Sequence, residues 1–251
     1  MVASLIDWFD NEWRCATALN NSDIRDYERK YKESRKARER IRKEQKQLQG
    51  TIQKKAEAIF RERKKALAAA ADYFKTSAYS KAYKGRREGA ARIRDVLGVP
   101  PFEFGKSEWD EFFGITALGR LLPIYRDRLF RNEKRLKEGL TYLLDESVGM
   151  QQRLSAVLDR NGKFHILGLG INLVSKILAV HDSQRWPVFN DPVEKTLCHF
   201  GYEPPRGVGI AGRYQKFAEA MESFRAESGA PDVLGLDAFF KYYETKLSTK
   251  V

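Results

Sequence analysis

The sequence predicts an all-α fold. Apolar residues recur at steps of three and four along most of the chain, period-two runs bounded by turns are few, and a long charged segment near the start has a single apolar seam. At 251 residues the chain is long enough for one large domain or two small ones. Its 42% hydrophobic and 32% charged residues exclude collagen-like and low-complexity classes and suit helices with long solvated faces. No internal repeat is present.

The first element is a helix over about 22–74. Ser22, followed by Asp23 and Asp26, is its expected N-cap, and Gly50 is its expected bend or break because Gly is about 1 kcal/mol worse than Ala in a helix interior. Alternate steps of three and four visit Ile24, Tyr27, Tyr31, Ser34, Arg38, Ile41, Gln45, Leu48, Ile52, Lys55 and Ile59, and seven of these eleven are apolar or Tyr. Such a seam packs on the body of the protein or on a second copy, so a homodimer through this helix is one expectation.

Residues 21–66 contain 17 Lys/Arg and 8 Asp/Glu, which places 9 of the chain's 12 net positive charges in this segment. Arg35-Lys36, Arg42-Lys43 and Arg61, Arg63, Lys64 and Lys65 exceed what solubility requires. They predict a polyanionic partner, a nucleic acid or an anionic membrane face.

A helix over 86–97 is expected to end at Gly98-Val99-Pro100-Pro101, dividing the chain into regions 1–98 and 99–251 that can still pack as one body. Further helices are expected within 109–113, 118–130, 136–144, 213–225 and 237–247. Cys15 and Cys198 are too far apart for a disulfide framework or a zinc or iron–sulfur set, and His165, His181 and His199 have no metal-ligand spacing. No metal and no cofactor are expected. The longest uncharged stretch, 165–175, is far short of the ~20 residues of a membrane span, and residues 1–10 lack the pattern of a secretory signal. The expected location is the cytosol, with no membrane partner.

Chemistry is concentrated in 165–202. A helix ending near Leu158 or Asp159 leads through Asn161-Gly162 to Leu167-Gly168-Leu169-Gly170, and an apolar helix follows over 171–180. Two glycines flanking one apolar residue let the backbone turn tightly and aim N–H groups at an anion by a helix N-terminus, a grip suited to a DNA phosphate. A tight turn between packed helices has the same pattern. Beyond it, Asn190, Asp191 and Pro192 have the chemistry of an N-cap and a first helical turn.

This stretch resembles the helix–hairpin–helix DNA glycosylases of the endonuclease III superfamily over roughly 40 residues. The shared features are the hairpin, the apolar helix, a short Pro-containing link and an acid opening the next helix. The resemblance implies a helix–hairpin–helix glycosylase-like bundle, with the long basic N-terminal helix as an addition, acting on double-stranded DNA with one base flipped out. A Lys nucleophile, where the family has one, falls on Asn172, and the essential Asp falls on Asn190, with Asp191 beside it. Asn172 cannot form a Schiff base. The implied enzyme is therefore monofunctional: it hydrolyses the N-glycosidic bond with water and leaves an abasic site.

The position of the essential acid stays open between Asn190, favoured by spacing, and Asp191, reached by a one-residue shift. An amide can position water, whereas a carboxylate is needed to face an oxocarbenium-like sugar. The resemblance further implies DNA contacts at Leu167, Gly168, Leu169, Gly170, Asn172 and Lys176. A base pocket is expected near Trp186 and Asn172, although a Trp between Arg185 and Pro187 equally suits a core. Some bacterial members remove heavily modified cytosines from phage DNA, which sets an antiviral role beside repair. The rivals are a non-catalytic DNA-binding protein that keeps only the hairpin, and a helical scaffold that dimerises through the seam.

Overall fold

The structure is a computed structural model that describes residues 21–248, and among these every regular element is helical. Cys15 lies outside the described residues, and Ser22, the expected N-cap, falls inside the first helix. The helix α1 is Asn21–Tyr73 and α2 is Ser77–Leu97, followed by α3 (Lys106–Gly114), a 3-10 turn (Pro123–Tyr125) and α4 (Arg126–Phe130). Then come α5 (Glu133–Leu144), α6 (Met150–Leu158), α7 (Ile171–His181), α8 (Asp191–His199), α9 (Ile210–Ser228) and α10 (Val233–Ser248). None of the described helices is long and apolar enough to cross a membrane.

The chain divides into two units, Met1–Ala56 and Glu57–Val251. In the first, helix continues through Gly50, against the expected bend. The Gly penalty of about 1 kcal/mol does not end a helix flanked by strong helix formers. Every side chain described from Arg25 to Ala56 is exposed, including the seam residues Tyr27, Tyr31, Ile41, Leu48 and Ile52. The side chain of Ile24 lies outside those described.

The second unit is one helical body around one core. Residues 57–73 belong to it: Ala66, Ala70 and Tyr73 are buried, and Arg63 donates from Nε to Glu227 Oε2 at 2.9 Å and from Nη2 to Glu227 Oε1 at 2.6 Å. The helix α2 packs on α3, α7 and α10, so the turn at Gly98-Pro101 is a corner inside this body and no division falls between 1–98 and 99–251. Thr76 starts α2, its Oγ1 accepting the Tyr79 N–H at 3.1 Å. Aromatic residues fill the core: Phe200, Phe224, Phe239, Phe240 and Tyr243 pack in stacked, tilted and edge-on pairs with ring centroids 5.3–6.2 Å apart. Each such ring buried is worth about 1.5–3 kcal/mol.

The expected helix at 118–130 is instead a loop, a 3-10 turn and the short α4. Leu118 (φ +61°) and Gly119 (φ +97°) turn the chain into left-handed backbone, and Pro123 opens the 3-10 turn. Lys176 explains why the turn is held there. It is fully buried, and its Nζ donates to the carbonyl oxygens of Ile115 at 2.7 Å and Gly119 at 3.0 Å, above the Phe112 ring.

Candidate active site

The link between α7 and α8 is pinned from three sides. Ser175 Oγ accepts the Phe189 N–H at 2.8 Å, and the buried Tyr214 hydroxyl donates to the Pro187 carbonyl at 2.9 Å. Arg213 donates from Nε and Nη2 to the two oxygens of Glu194 and lies over the Phe189 ring, 5.1 Å from its centroid. These contacts fix where α8 begins. Asn190 is its N-cap, with Oδ1 accepting the Val193 N–H at 2.9 Å. With its oxygen committed to the cap, Asn190 has the Nδ2 donor left to offer a ligand, while Asp191 next to it is an exposed carboxylate.

Asn190, Asp191 and Asn172 line one cavity of about 940 Å³. Its walls are α2, loop 116–121, the starts of α7 and α8, and one face of α10. Ala78, Ala82 and Gly85 give α2 a stripe of small residues toward it, and Lys81, Arg86, Arg120 and Lys241 add positive charge. Arg86 and Asp237 form an ion pair in the wall, Nε to Oδ2 at 2.5 Å. Sequence reasoning missed this pair: the partners are 151 positions apart, and no local pattern links them.

The hairpin residues Leu167–Gly170 lie just before α7. Leu167 is 57% exposed and Gly170 is exposed, whereas Leu169 is buried and fixes the turn to the core. Gly168 has φ +104°, and a Cβ there would fall 2.7 Å from Tyr125 Cδ1, so glycine is required both for torsion and for space. Gly170 starts α7 with no side-chain cap, leaving that end of the helix open to an external acceptor.

Two expectations are corrected. Lys176 is one turn from Asn172, but loop 115–121 closes over it and its ammonium is spent on that loop's carbonyls, so it reaches no external phosphate. Burial pulls its pKa down to about 8. Trp186 is 8% exposed, packs near Tyr214 under the Arg185 guanidinium, and does not line the cavity. It is a core residue. Burial, with Arg94 adding repulsion, takes the His181 pKa down to about 4 and keeps that ring neutral.

Compared with protein-family models, curated proteins and solved structures, the chain shows no match.

Proposed function

We propose that this protein is a monofunctional DNA glycosylase of the helix–hairpin–helix type. The observation that supports this reading best is the shared cavity of Asn172, Asn190 and Asp191, three residues that the family resemblance singles out, shortly after a glycine hairpin whose Leu167 and Gly170 are exposed. The hairpin and the basic α1 hold the phosphodiester backbone, and one nucleotide rotates out of the stack into the cavity. As the C1′–N bond breaks, its electron pair leaves on the base and the sugar becomes oxocarbenium-like. Asp191 faces that charge and takes a proton from water, while Asn190 Nδ2 holds the water oxygen that bonds to C1′. The proton passes to the departing base, leaving an abasic site.

A volume of about 940 Å³ is near the top of the ~300–1,000 Å³ range of pockets for drug-sized ligands, which favours a base with a bulky substituent. A modified cytosine with a bulky substituent, such as glucosylated hydroxymethylcytosine in phage DNA, is the substrate we propose, which sets an antiviral role beside repair. The test is incubation with DNAs containing damaged or modified bases, phage DNA included, followed by hot alkali to cut abasic sites. Strand breaks that disappear in Asp191→Ala support the enzyme. Binding without breaks across the panel refutes it and favours a non-catalytic DNA-binding protein, the reading consistent with an amide at position 190.

A further inference from the structure

Three carboxylates among the described residues are buried: Glu194, Asp232 and Asp237. Two are satisfied within the chain. Glu194 receives Arg213 on both oxygens, and Asp232 receives the Gly235 N–H on Oδ1 at 2.8 Å and the Tyr83 hydroxyl on Oδ2 at 2.9 Å. Asp237 differs. Its side chain is 10% exposed, its Oδ2 accepts from Arg86 Nε, and its Oδ1 accepts no hydrogen bond from the described residues. It is also the one of the three that lines the cavity.

Arg86 clamps this carboxylate in place, donating from Nη2 to the Asp237 carbonyl oxygen at 3.3 Å and from Nη1 to the Ala82 carbonyl at 3.4 Å. Asp237 Oδ1 is therefore a fixed acceptor at a cavity wall, with the buried Phe240 ring next along the same face of α10. An acceptor held rigidly on a largely buried side chain favours a ligand that donates to it over one that presents another oxygen.

Resting on the glycosylase reading, we infer that Asp237 Oδ1 reads the everted base, accepting an N–H from the exocyclic amine of a cytosine-type base. A carboxylate taking the cytosine N4 amine is a recurrent pairing in base recognition. The oxo counterpart, a uracil-type base, puts a carbonyl against the carboxylate and leaves both without a donor. Arg86 is a positioning residue here, since it acts through Asp237.

The test compares two duplexes that differ at one exocyclic group, 5-hydroxymethylcytosine and 5-hydroxymethyluracil. Each base is placed opposite an abasic spacer, so that base pairing does not bias eversion, and each nucleotide is 2′-fluorinated to block hydrolysis. Fluorescence anisotropy of the full chain is expected to show the amino base bound at least tenfold more tightly, with the preference falling below threefold in Asp237→Asn. Equal affinities in the unaltered chain overturn the subsite, and that comparison stands whether or not the variant folds. Hydrolysable versions of both bases, with glucosylated 5-hydroxymethylcytosine beside them, are assayed with alkali to separate the two claims. An amine preference without abasic product leaves the subsite standing and removes the glycosylase. Equal abasic product from both bases does the reverse. Binding to neither DNA overturns both.

Discussion

The Lys176 ammonium donates to the Ile115 carbonyl at 2.7 Å from a position wholly out of solvent, with no carboxylate among its hydrogen-bond partners in the described residues. Because burial lowers its pKa from 10.5 to about 8, the unfolded chain holds a proton between these values that the folded chain has lost. Stability from this group therefore rises with pH through that window. Urea unfolding at pH 7, 8, 9 and 10 should show the wild-type chain gaining on Lys176→Met above pH 8, by about 3 kcal/mol once the window is crossed. A difference that stays flat with pH contradicts this account.

Asn190 caps α8 through Oδ1, and its loss should be felt as stability before any chemistry is assayed. Asn190→Ala is expected to cost about 1 kcal/mol, whereas Asn190→Asp keeps an acceptor for the Val193 N–H and stays near wild type. Denaturant midpoints of the two variants are the check. If both fall equally, the cap is not what the side chain contributes.

Gly168 meets two separate constraints, a φ of +104° and the Tyr125 ring. Gly168→Ala should cost about 1–3 kcal/mol in backbone strain, with the ring clash in addition. Combining it with Tyr125→Ala relieves the clash and leaves the torsional part. A double-mutant cycle measured by urea unfolding should therefore show positive coupling and incomplete recovery. Additive losses would mean that the ring and the turn are independent.

Under the proposed function, the charge on α1 supplies affinity and not the identity of the bond broken. Replacing Arg35, Lys36, Arg42 and Lys43 with Gln should weaken DNA binding and reduce the slope of log K against log salt by about 3 to 4, if each cation meets a phosphate. Titrations at several salt concentrations measure this. An unchanged slope would free these residues for another role.

Helix positions were legible where periodicity was strong, as for α5, α7, α9 and α10, because burial of one face sets both the pattern and the packing. The region 118–130 was not. Leu118, Leu121, Leu122 and Ile124 imitate helical spacing, while Gly119, Pro123 and the distant Lys176 determine the backbone. The cap at Asn190 was readable since an Asn followed by Asp-Pro is a local signal for a helix start. Asp237 was not, because its significance comes from Arg86, which only tertiary folding brings to it. Lys176 shows the same limit in reverse: its sequence neighbours suggest a surface ammonium, and a loop some 60 positions earlier encloses it.

The small-residue stripe on α2 gives the cavity a property of its own. A Cβ added at Gly85 meets nothing within 4 Å, so side chains can grow there without displacing the core. Under the proposed function, bulk at this position acts as a gauge stop, shortening the longest substituent admitted while the turn at the start of α8 stays untouched. Substrate range and chemistry can then change independently, one methylene at a time.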